Sequence, residues 1–271
     1  MRIRFRFSKL GKIRFTSQRD IARMWERALR RAELPLAYTE GFSPRPQLSF
    51  GLALPTGCES LAEYLDVNLD DCRPELAALD VSSLAGLLGG LLPDGIEVTD
   101  VVPVEGRVGS LQQLVTSCSW EMYLTGVSRD QLQHQVDLVL GATTVPIVRE
   151  RKGREEHDDL RPSVLALAVI HREDSADDGS VGVVAELATQ PRGVRPVELV
   201  RGLIAVTGGS PDQQTAIWAT AGGSPPGVPV LARACRTQQW IERDGVREEP
   251  LELRGFSSAS DRALHALERA S

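Results

Sequence analysis

The chain predicts an α+β protein of two tandem ferredoxin-like units, each an antiparallel sheet with helices packed on one face. Three observations predict it. Alternating segments and helical apolar stripes follow the order β-α-β-β-β-α-β in the first half. A similar order of elements returns in the second half. A short non-periodic stretch, Glu105 to Ser110, separates the two. The first unit therefore covers residues 1–105, the second 110–245, and 246–271 form a tail.

The first half begins with Ile3, Phe5 and Phe7 on one face of a strand and Arg2, Arg4 and Arg6 on the other. Gly11 turns the chain, and Ile13-Arg14-Phe15 extends it. Ser17 caps a helix with Asp20 in its first turn. Ile21, Trp25, Ala28, Leu29 and Ala32 form its apolar stripe, and Pro35 ends it. Arg23, Arg27, Arg30 and Arg31 share the opposite side at i, i+4, i+7 and i+8. Leu36 to Tyr38 predicts a short strand. Gly41 to Pro46 is a loop stiffened by two prolines. Leu48, Phe50, Leu52 and Leu54 alternate in a strand, as do Leu65, Val67 and Leu69 in Glu63 to Leu69. Arg73 to Leu92 is helix-like, with glycines late in it, and Ile96 to Val104 closes the half as a strand.

In the second half Trp120 to Thr125 is a strand, and Ser128 caps a helix to about Leu140. Thr144 to Val148 and Val164 to Ile170 are strands. The polar turn Asp174 to Ser180 makes a hairpin with Val181 to Leu187. Pro196 starts a helix to about Val206, and Leu231 to Glu242 is the last strand. Gly208 to Pro229 is a Gly/Pro-rich loop, and Ser260 to Arg269 is a short helix in the tail.

Bulk properties exclude several classes. Apolar content is 42% and charged content 25% over 271 residues, ordinary values for a folded globular protein. No apolar run approaches the ~20 residues of a membrane span. The basic N-terminus alternates with period two, unlike a signal peptide, so a cytoplasmic location is expected. Cys58, Cys72, Cys118 and Cys235 form no C-x-x-C pair, and the four histidines lack ligand spacing, so no metal or other cofactor is expected. Neither a phosphate-binding G-x-x-x-x-G-K-[ST] nor a G-x-G-x-x-G is present.

Charge is segregated. Residues 1–50 hold 12 Lys and Arg against 4 Asp and Glu, a net +8, whereas the rest carries −14 of the overall −6. That asymmetry points to an anion-binding surface. Its candidates are Arg23, Arg27, Arg30 and Arg31, a row of guanidiniums suited to phosphates. Glu26 and Glu33 are too few to neutralise them together with the strand arginines. The loop adds Tyr38, Phe42, Ser43 and Arg45. Arg45 is held between prolines and presented at low entropic cost, while Phe42 by itself reads better as a core plug than as a stacking ring. A third group, Arg149, Arg151, Lys152 and Arg161, lies where a mobile hairpin would reach a groove or partner. His157 next to Asp158 is a weak general-base candidate, better read as a solvated tip. Glu155, Asp158 and Asp159 have no fixed ligand geometry.

The N-terminal block resembles the radical-SAM-linked proteins of bacteria, a domain of unknown function found alone or fused behind a radical SAM domain. The resemblance rests on Phe15-x-Ser17-x-x-Asp20, Glu26-Arg27-Ala28-x-Arg30-Arg31-Ala32-x-Leu34-Pro35 and Tyr38-x-x-Gly41-Phe42-x-Pro44-x-Pro46. Ser49-Phe50, Leu54-Pro55-x-Gly57, Ser60 and Glu63-Tyr64 continue it, and Arg151-Lys152-Gly153 and Asp159-x-Arg161 match more loosely. It spans about residues 1–205. Gln18 stands where the family pattern often has histidine. The resemblance implies a radical SAM protein as partner, but no iron–sulfur cluster on this chain, which lacks C-x-x-x-C-x-x-C. Family genes often neighbour genes of RNase E/G-type ribonucleases, which tilts the ligand toward RNA. The element order also resembles that of CRISPR repeat-processing endonucleases, which bind hairpin RNA.

The expected function is an RNA-binding accessory protein that presents structured RNA to a radical SAM modification enzyme, with no catalysis of its own and no membrane partner. Two alternatives stand beside it. One is a metal-independent endoribonuclease of hairpin RNA using His157, Tyr38 or Ser17 as base. The other is a protein-interaction module that docks the radical SAM partner without nucleic acid.

Overall fold

A computed structural model describes residues 1–106, 108–151, 153–170, 179–209 and 227–252. The protein is a mixed α/β chain with a large, mostly antiparallel sheet and helices. Two compact units divide it. One holds residues 1–56, 61–115 and 241–271, the other 57–60 and 116–240. The C-terminal segment thus returns to the first unit. The expected helix from Ser260 and most of the expected turn from Asp174 lie outside the described residues.

The first unit contains β1 (Arg2–Lys9), α1 (Gln18–Arg31), β2 (Leu48–Phe50), β3 (Glu59–Asn68), α2 (Leu84–Gly89), β4 (Ile96–Val104) and α3 (Leu111–Leu114). Its strands run in the order β4-β1-β3, with β2 antiparallel on β3. Alternation in β1 and β3 sends Ile3, Phe5, Phe7, Leu65 and Val67 into one core. There α1 buries Ile21, Trp25, Ala28 and Leu29. The Trp25 ring packs 5.5 Å from Phe5 and 5.0 Å from Phe7. Ser17 caps α1 by accepting from the Asp20 amide at 3.2 Å.

Several local expectations differ from the structure. Ile13-Arg14-Phe15 forms a 3-10 turn, not a strand, because Gly11 at φ 69° reverses the chain. Leu36 and Tyr38 make single bridges to Leu69 and Pro46 rather than a strand. Residues 73–92 break into two 3-10 turns and the short α2, since Pro74 and the Asp80–Ser82 hydrogen bond favour local turns over one helix.

The second unit contains β5 (Ser117–Thr125), α4 (Arg129–Gly141), β6 (Pro146–Arg151), β7 (Arg154–Asp159), β8 (Val164–Ile170), β9 (Val181–Ala188) and α5 (Pro196–Ala205). The long β10 (Val230–Arg243) follows; its last residues, with β11 (Val246–Glu248), belong to the first unit. Four strands are ordered β10-β5-β9-β8, and β6 and β7 form a separate two-stranded sheet. Glu59 and Ser60, which belong to this unit, pair in parallel with Cys235 and Arg236. A capping box of Ser128 and Gln131 starts α4. α4 packs on β8 and α5.

Candidate nucleic-acid interface

The basic row of α1 follows from helix geometry. The stripe through Ile21, Trp25 and Ala28 faces the sheet, so Arg19, Arg23, Arg27, Arg30 and Arg31 are left exposed. Two of them are paired, both at the surface. Arg23 lies 3.3 Å from Asp20, and Arg30 lies 3.7 Å from Glu26. Such pairs contribute about 0.3–0.5 kcal/mol. Arg27 donates to the carbonyl of Arg23 at 3.3 Å. The side chains of Arg19 and Arg31 make no hydrogen bond or ion pair with a described residue. At the entrance to the helix Arg14 lies 4.7 Å over the ring of Phe15, which is 62% exposed. This cation–π pair escaped sequence reasoning because Ile13 to Phe15 alternates like a strand. Gly11, two residues before Ile13, was the available signal.

The loop after α1 has a closed neck. Tyr38 bridges Pro46, the Thr39 amide donates to Arg45 at 2.9 Å, and the Gln47 amide donates to Ala37 at 2.9 Å. The Arg45 amide donates to the Thr39 hydroxyl at 3.1 Å. Gly41 at φ 122° allows the tip to turn. Phe42 therefore projects into solvent with 110% relative exposure. The expectation of a core plug is overturned: hydrogen bonds at the neck, not an inserted ring, hold this loop. Tyr38, Ser43 and Arg45 are also exposed.

The strand arginines behave differently from the row. Arg4 is fully buried on the sheet face opposite α1. Its Nε and Nη2 donate to the two oxygens of Asp66 at 2.6 and 2.8 Å, and its Nη1 donates to the Pro250 carbonyl. Arg6 lies 3.6 Å from Glu249 and 4.0 Å from Asp100. Arg2 donates to Asn68 at 3.0 Å and to the Val108 carbonyl at 3.2 Å. These three therefore do not add to the free positive charge. Burial pushes the hydroxyl pKa of neighbouring Tyr64 upward, against the opposing pull of Arg6. On the same unit a cleft of about 420 Å³ opens between the loop neck and the sheet, lined by Arg2, Thr39, Gln47, Ser49, Asp66 and Asn68 among others.

In the second unit Arg149 and Arg161 are committed to the fold. Arg149 is buried and lies 3.1 Å from Glu198 and 3.3 Å from Asp158. Glu198 also accepts from the Arg195 amide at 2.7 Å, so one carboxylate ties the helix start to the hairpin. Arg161 donates to the carbonyls of Val164 and Leu140 at 3.0 and 3.3 Å. Neither arginine presents a guanidinium ready for phosphate. Arg151 stands opposite Arg154 at the hairpin end, and Lys152 lies outside the described residues. His157 is exposed opposite Val148. Asp159 accepts from the amides of Val145 and Arg161. Glu155, Asp158 and Asp159 thus form no chelating set, and among the described residues no group of three His, Cys, Asp or Glu could hold a metal ion.

Of the three groups, the first two share one unit: the α1 row and the loop. The model of one bacterial family, described as Uncharacterized protein conserved in bacteria (DUF2344), matches residues 2–196. The chain belongs to this family. Its match covers both the arginine row and the loop. No curated protein matches the sequence. Among solved structures, a chain in the crystal structure of a Cbf5-Nop10-Gar1 complex aligns over 87% of this chain and 49% of its own length, with 9% identity and a TM-score of 0.42. The present chain thus spans about half the length of that chain, and the likeness is too slight to bear on function. No helix among the described residues is long and apolar enough to cross a membrane.

Proposed function

We propose that the protein binds RNA through its first unit, with α1 holding phosphates and the 38–46 loop meeting unstacked bases. The observation that carries the reading is the row Arg19, Arg23, Arg27, Arg30 and Arg31, exposed on one helix and ion-paired, among the described residues, with Asp20 and Glu26 at its surface. Phosphate contacts from such a row supply affinity without sequence preference. The exposed rings of Phe42 and Tyr38 with Arg45 add stacking surfaces, worth about 1–3 kcal/mol per base. In this reading Arg149 and Arg161 stay out of the interface, since Arg149 pairs with internal carboxylates and Arg161 donates to carbonyls.

We further infer that both halves are ferredoxin-like. The orders β4-β1-β3 with β2 on β3, and β10-β5-β9-β8, support that reading. In this proposal the bound RNA is presented to a radical SAM enzyme, a partner that rests on the N-terminal motif resemblance. The test is binding of single-stranded RNA by wild type and a Phe42→Ala/Arg45→Ala variant. A loss of about tenfold or more in the variant fits loop stacking. Unchanged affinity would remove the loop from the interface.

A further inference from the structure

We infer that the cleft beside the loop neck is a pocket for one unpaired nucleobase, and that it prefers bases carrying an exocyclic amino group. This rests on the RNA reading above and adds a specific subsite to it.

The pocket lies on the sheet face opposite α1. Arg2 precedes the core residue Ile3, and Asp66 and Asn68 flank Val67, so alternation turns all three away from the helices. Ser49 stands directly opposite Asp66 across β2 and β3, which sets a hydroxyl beside a buried carboxylate. Pro46, Leu48 and Val108 supply apolar walls, and Thr39, Ser49 and Ser110 form an exposed lip. The volume of about 420 Å³ falls within the range of small-ligand sites. Apolar walls with a few converging polar groups suit a flat heterocycle whose edge carries both donors and acceptors.

Charge decides between base and phosphate. Among the described residues Arg2 is the cation lining the cleft; it already donates to Asn68 and Val108 and lies 4.0 Å from Asp66. Asp66 is negative, and each of its oxygens accepts once from Arg4, leaving further lone pairs. A phosphate would find both described cations, Arg2 and Arg4, already engaged with Asp66, Asn68 and backbone carbonyls. A neutral base with N–H donors would meet an acceptor instead. Adenine, cytosine and guanine carry an exocyclic amine; uracil turns two carbonyls and one N–H toward the same site.

A relay of hydrogen bonds couples the pocket to the loop. Arg2 donates to Asn68, Asn68 donates to Gln47 at 3.0 Å, and Gln47 donates to the Tyr38 carbonyl at 2.9 Å. The polar wall and the aromatic loop are thereby held in one arrangement. A strand on α1 would reach the pocket by passing around this loop, where Phe42 and Arg45 stand.

The experiment compares oligo-A, oligo-C and oligo-U binding to wild type and to Ser49→Trp and Ser110→Trp, which fill the cleft from either side of the lip. Circular dichroism checks that each variant is folded. Wild type should bind A and C about tenfold more tightly than U. Either filled variant should lose that preference while keeping the salt dependence of binding. Equal affinities with a steep salt slope, or a preference that survives both fillings, would overturn the pocket and leave the RNA reading standing. Failure to bind any of the three oligonucleotides at low salt would overturn both.

Discussion

Replacing Asp66 with Asn should unfold the first unit more readily than any surface change. The substitution keeps the shape but removes the charge that Arg4 needs. Arg4 and Asp66 side chains are 1% and 4% exposed, and they meet through two hydrogen bonds of 2.6 and 2.8 Å. The third Arg4 contact, to the Pro250 carbonyl, supplies no counter-charge. Asp66→Asn therefore leaves a guanidinium buried without its partner, which costs about 3–5 kcal/mol. Total stabilities of about 5–15 kcal/mol make that a large fraction. In urea, with a slope of ~3 kcal/mol per molar, the midpoint should fall by about 1–1.7 M. Replacing both members, Arg4→Met with Asp66→Leu, removes the desolvation cost as well. That double variant should lie within about 1 kcal/mol of wild type. Hydrogen exchange in β1 and β3 would attribute the loss to this unit. A cost under about 1 kcal/mol for Asp66→Asn, or a double variant no better than the single, would refute the reasoning.

Two further outcomes test other parts of the fold. At Gly95, φ is 88° and a Cβ would sit 2.4 Å from the Leu10 carbonyl oxygen; Gly95→Ala should cost about 1–3 kcal/mol in denaturant unfolding, because backbone must move. Tyr64 has a hydroxyl pKa raised by burial, so it stays neutral in the folded protein above pH ~10, where the unfolded chain ionises. Its contribution is complete below that pH and is lost as pH rises toward the folded value. Wild type should therefore lose up to about 1.4 kcal/mol per pH unit more than Tyr64→Phe above pH ~10, read from urea midpoints; equal slopes would contradict this.

The elements with strong periodicity were legible in the sequence. The alternation of Ile3, Phe5 and Phe7, the Ser17 and Ser128 caps and the α1 stripe all carry local signals, and the structure follows them. What was not legible depends on distant partners. Arg4 reads as surface charge until Asp66, 62 residues away, is brought beside it. Arg149 reads as a hairpin cation until Glu198 meets it. Phe42 misled in the other direction. An aromatic in a proline-rich loop suggests packing, but the backbone hydrogen bonds between residues 37–39 and 45–47 close the neck without it. The cleft had no sequence signature, because its wall combines β1, β2, β3 and the segment around Val108.

The most direct measurement is RNA affinity across a salt series for wild type and an Arg23/Arg27/Arg30/Arg31→Ala variant. All four side chains are exposed, so the variant should retain its fold. Each phosphate contact adds about 0.7 to the slope of log affinity against log salt for single strands. RNA binding along α1 predicts a steep wild-type slope that becomes shallower by about 2–3 in the variant. Identical slopes in the two proteins, or no binding by wild type at low salt, would contradict it.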